Sequence, residues 1–178
     1  MCRSVGRFLL MTALTLGLLL LVEFPAHAQD QCAPFSGNIY FWLTDTWHGV
    51  ADFTIGSHIY HASVVTENTS FTDDGDTWLG SEQWTLDFGK GNTILVNTQF
   101  VSQHMNDAVS PAGVFDLTEV GTFVGGKGKF RHAYGNLLAN GPFGPNVKLP
   151  DNIQPPPDAQ WFGVVPSAGM ICGMEHRR

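Results

Sequence analysis

Gln83-Trp-Thr-Leu-Asp-Phe-Gly-Lys-Gly-Asn-Thr-Ile-Leu-Val-Asn-Thr-Gln-Phe-Val101 reads as two strands around a tight turn. Trp84, Leu86 and Phe88 alternate with polar residues, the period of a strand with one face buried. Gly89-Lys90-Gly91-Asn92 supplies the turn residues of a four-residue hairpin. The returning strand puts Ile94, Val96 and Phe100 on one face. No stretch after residue 30 sustains the 3.6-residue apolar period of a helix for three turns.

The same texture extends in both directions. Asn38–Thr44, Val50–Ile55 and Ile59–Thr66 precede the hairpin, and Asp73-Asp74-Gly75-Asp76 marks another tight turn. Val114–Thr118, Gly121–Val124 and Phe130–Leu138, the last interrupted at Gly135, follow it. Seven or eight short strands at near-regular spacing predict an all-β domain, either a closed barrel or a sandwich, because those arrangements hide strand edges. After Gly141 the prolines at 142, 145, 150 and 155–157 argue against a central strand. Residues 141–160 are expected to form an extended surface segment, with Trp161–Val165 docking back as a final strand.

At the other end, residues 1–28 read as a signal peptide. Arg3 and Arg7 are followed by an uncharged run from Phe8 to Val22, and Ala26-His27-Ala28 fits a cleavage site. The expected mature domain, residues 29–178, is exported to the periplasm or beyond and has no membrane span. Cleavage removes Arg3, Arg7 and Glu23, leaving seven Lys and Arg against fifteen Asp and Glu, a net charge of −8. That balance excludes a nucleic-acid partner, which needs clustered cations. Cys32 and Cys172 remain near the two ends of the domain, and an even pair in an exported chain predicts a disulfide.

The segments Trp84–Ile94, Gly121-Thr-Phe-Val-Gly-Gly-Lys-Gly-Lys-Phe130 and Ala133-Tyr-Gly135 resemble the allene oxide cyclase barrel-like proteins of bacteria, relatives in fold of plant dirigent proteins. The resemblance covers about residues 80–138. It implies a single antiparallel eight-stranded β-barrel with an apolar interior, and a homo-oligomer, since the plant members are often dimers or trimers. The plant cyclases' Glu-x-Asn segment and Ser-Pro pair have no counterpart here; Ser36-Gly-Asn-Ile-Tyr40 stands near the start instead.

No motif selects a reaction. Gly121-x4-Gly126-Lys127 imitates a phosphate loop, but Gly128 stands where a Ser or Thr must hold Mg²⁺. Lys127, Lys129 and Arg131 read as a solvated strand face. Asp73, Asp74, Asp76 and Glu82 read as an acidic hairpin tip without the register of a Ca²⁺ loop. The histidines at 48, 58, 61, 104, 132 and 176 lack metal-ligand spacing, so neither a metal nor another cofactor is expected. Paired carboxylates for sugar hydrolysis, brought together from distant strands, stay open, with nothing in the sequence selecting the pair. The aromatic strand faces read first as filling for a small barrel and second as the lining of a pocket. Under the second reading the ligand is a small apolar molecule, and the lining is assigned to Tyr40, Trp84, Asn97, Gln99 and Phe100. Asn97 and Gln99 enter as polar groups on an otherwise apolar strand. Three functions stand together: ligand binding, an enzyme of cyclase or dirigent type that works by confinement, and a non-catalytic scaffold.

Overall fold

A computed structural model describes residues 32–105 and 113–175. The expected signal peptide and His176 lie outside the described residues. Eight antiparallel strands close into a barrel in simple chain order. They are β1 (Ala33–Leu43), β2 (Trp47–Ile55), β3 (His58–Asp73), β4 (Thr77–Asp87), β5 (Thr93–His104), β6 (Phe115–Lys127), β7 (Tyr134–Gly144) and β8 (Trp161–Cys172). Closure comes from β1 pairing with β8, in register from Ala33 opposite Ile171 to Leu43 opposite Trp161. Among the described residues no helix is long and apolar enough to cross a membrane.

Both turns read from the sequence are present. Gly75 has φ 94° and donates its N–H to Asp73 Oδ1 at 2.8 Å, closing the β3–β4 turn. Gly89, Lys90 and Gly91 all have positive φ between β4 and β5.

Two departures from the sequence reading concern proline and strand length. Pro142 lies inside β7, not in a surface segment. The register between β7 and β8 breaks off at Ala139–Ser167 and resumes at Phe143–Gly163, and Pro142 and Pro166 both fall in that interval. A proline has no N–H to give a ladder, so both sit where the seam goes unpaired. The second departure is that the strands expected at 114–118 and 121–124 are one, β6, which begins at Phe115 and runs straight through Glu119.

Two bulges bend the wall. Between Glu67–Gln83 and Ser70–Ser81, residues Asn68 and Thr69 face the single Glu82, with Asn68 at φ 54°. One extra residue swaps the faces of a strand. Ala62, Val64 and Thr66 face the lumen before this bulge, whereas Thr69 and Phe71 line it afterwards. The second bulge sets Val124 and Gly125 against Leu95, with Gly125 at φ 103°.

Among the described residues the lumen is filled at one end only. Phe35, Phe53 and Phe123 interlock there, with ring centroids 4.4 and 5.2 Å from Phe35. A short 3-10 turn, Gly128–Phe130, drops Phe130 into the opening between Phe88 and Tyr60, where it is wholly buried. Lys129 lies in this turn and not on a strand, and its Nζ stands 3.8 Å from the centre of the Tyr60 ring. The Cys32–Cys172 disulfide forms at the same end.

Candidate functional site: a half-open lumen with a buried carboxyl pair

The other end holds a cavity of about 470 Å³. That is within the roughly 300–1,000 Å³ of small-molecule pockets. Eight aromatic side chains contribute to its wall: Phe41, Trp47, Phe71, Trp78, Trp84, Phe100, Phe143 and Trp161. Four of the chain's five tryptophans are therefore gathered here. At the mouth Trp78 stacks on Phe115 at 4.8 Å and lies 5.6 Å from Trp161. Asp45 and His48 stand at the rim, joined by a 3.4 Å contact between Nε2 and Oδ1.

Small residues make room for these rings. A Cβ on Gly163 would lie 2.2 Å from the Phe41 ring, and one on Gly80 would lie 2.5 Å from the tip of Phe100. Both rings reach across their neighbouring strands because glycine stands there.

The cavity's polar feature is a pair of glutamates. Glu82 comes from β4 and Glu119 from β6, and Thr98 of β5 lies between them. Glu119 is 2% exposed, and its Oε1 accepts a 3.3 Å hydrogen bond from Thr98 Oγ1. Glu82 faces the cavity and accepts hydrogen bonds from the Trp84 indole N–H and, at 3.5 Å, from Thr69 Oγ1. The two carboxyls are near enough to influence each other's titration. Burial pushes Glu119 well above the ordinary value of 4.5, and the charge of Glu82 pushes it further, making Glu119 the proton holder. Burial also raises Glu82, against the lowering effect of the Trp84, Glu119 and Thr69 bonds. Of the two, Glu119 keeps its proton to higher pH and Glu82 ionises first.

Of the five residues assigned to a ligand lining, two border the cavity and three face outward. Trp84 and Phe100 line the cavity. Tyr40 pairs with Val50 and Val164 in phase with Ser36 and Asn38, on the outer face, while its neighbour Phe41 enters the cavity. Asn97 and Gln99 are exposed on the outer face of β5, and Asn97 accepts a 2.9 Å bond from Gln83 Nε2. Both amides lie outside the barrel, because a strand alternates and Val96, Thr98 and Phe100 take the inside. Glu82 is likewise separated from the acidic hairpin tip and turned inward.

The sequence did carry a signal for the glutamates. Glu82 is in phase with Trp84 and Leu86. Glu119 is in phase with Phe115, Leu117, Gly121 and Phe123. A carboxylate inside an apolar alternation is the mark of a buried charge.

Elsewhere, Gly121–Lys127 is strand and builds no phosphate loop. His61 Nδ1 meets Asp52 Oδ1 at 2.5 Å on the outer surface. Among the described residues no three His, Cys, Asp or Glu side chains converge as a metal site. In comparisons with known proteins, no family model, curated protein or solved structure matches this chain.

Proposed function

We propose that this protein is an exported binding chamber for a small, largely apolar molecule held in the open half of the barrel. The observation that carries the reading is the cavity: about 470 Å³ of space walled by aromatic rings, with the opposite end of the lumen packed solid. A barrel serving only as a scaffold has no use for a hollow half, since unfilled apolar space forfeits packing energy. The disulfide fits an oxidising compartment and so supports export. Native mass spectrometry of protein from its exporting host tests the reading. A reproducible excess mass that leaves on denaturation is the expected result. A homogeneous empty protein that also fails to take up apolar probes argues for the scaffold.

A second reading has its own observation. Burial among aromatic side chains favours the protonated form of Glu119, and Glu82 stands beside it. Such a pair is suited to moving a proton on a confined substrate, the kind of chemistry that needs positioning more than a nucleophile. Turnover abolished by Glu119→Gln while ligand binding persists would favour it over binding alone.

A further inference from the structure

The cavity wall is unbalanced in charge. Its ionisable residues are Asp45, His48, Glu82 and Glu119, and no Lys or Arg lines it among the described residues. Asp45 and His48 face each other at the rim, in water. The glutamate pair lies deeper, where Trp84, Thr69 and Thr98 offer it only neutral donors. A buried negative charge without a cation is costly. Around it the aromatic rings present faces that attract cations.

We propose that the molecule taken by this chamber carries a cationic amine on an aromatic or apolar body, with the ammonium against Glu82 and Glu119 and the body among Trp47, Trp78 and Trp161. This rests on the chamber reading and names its ligand class. The ammonium supplies the missing positive charge and three donors, where the pair has acceptor oxygens to spare. It neutralises the charge of ionised Glu82, and where Glu82 is still protonated its uptake releases that proton to solvent. Among the described residues that line the cavity, only Asp45 and His48 titrate besides the pair, and Thr69, Trp84 and Thr98 are the groups bonded to it. At the rim, hydrogen bonds from Thr44 and His48 hold Asp45 below its ordinary value, so Asp45 stays ionised from weakly acidic pH upward.

Three probes of one shape decide the matter, read by tryptophan fluorescence and calorimetry on the mature protein. They are tryptamine, its neutral alcohol tryptophol, and the anionic indole-3-acetate. Tryptamine is expected to bind about tenfold or more tighter than tryptophol, with indole-3-acetate weakest. Its affinity climbs as pH rises from about 5, with proton release seen as a dependence of binding heat on the buffer. His48→Gln keeps that rise, which separates the glutamates from the rim histidine. Glu82→Gln, which removes the carboxylate that ionises first, is expected to remove most of the preference for tryptamine. Because the ranking is measured first on the unaltered protein, it stands even if the variant folds poorly. Tryptophol binding as well as tryptamine overturns the cationic ligand and leaves the chamber. Binding of none of the three overturns both.

Discussion

At the end of the barrel where the two cysteines meet, Phe130 lies wholly buried between Phe88 and Tyr60, above the interlocked Phe35, Phe53 and Phe123. At the other end Trp78 and Trp161 are only half-buried, around a hollow. The residue types are alike, and what differs is how each turn disposes of them. A three-residue 3-10 turn drives one ring into the lumen at the closed end. At the open end, residues 145–160 leave β7 with a run of prolines and return to β8 at Trp161, placing no side chain below the mouth. Aromatic content therefore does not say whether a small barrel is full; the turns do.

The largest test of this contrast is covalent. Reducing the disulfide, or replacing Cys172 by Ser, releases a loop spanning 140 residues, worth up to about 5 kcal/mol in chain entropy. Denaturant unfolding with and without reductant should show the loss. Next come two matched truncations. Phe123→Ala at the closed end should cost about 3–5 kcal/mol, as a cavity opened in a solid core does. Phe100→Ala, whose ring already borders space, should cost about half as much and weaken ligand uptake more. Equal losses would erase the distinction between the ends.

A third test concerns pH. Folded Glu119 is raised above its ordinary value, so folding takes up protons there. The stability it contributes is complete below about 4.5 and is lost as pH rises through the folded value. Glu119→Gln should flatten this decline, measured as the unfolding midpoint between pH 4 and 8. A midpoint that instead rises in parallel for both proteins would contradict a buried proton on Glu119. The smallest effect is expected from Gly163→Ala. The new methyl meets the movable Phe41 ring, which can swing into the hollow, so the stability change should stay near 1 kcal/mol while the chamber narrows. Probe affinity then falls although the fold does not.

Much of the fold was legible because alternation and turn chemistry are local. Asp73–Asp76 and Gly89–Asn92 announced their hairpins, and Trp84 and Phe100 sat on the right faces. The misreadings share a cause. Asn97 and Gln99 drew attention as polar residues among apolar ones, yet parity with Val96 and Phe100 places them outside. Glu119 fell in the gap between two expected strands, and only continuous β6 brings it into phase with Leu117 and Phe123. The Asn68–Thr69 bulge reverses the faces of β3 with no glycine to flag it. Which distant carboxylates meet is a property of register, and no local pattern encodes it.

The bridge between Cys32 and Cys172 joins the entry of the first strand to the exit of the last, which are also neighbours in the wall. The barrel is thus a ring in its covalent bonds as well as in its hydrogen bonds. A protease that cuts within residues 145–160 would produce two pieces still tied together. The nicked protein would run as one species until a reductant is added, with every strand still beside its original partners.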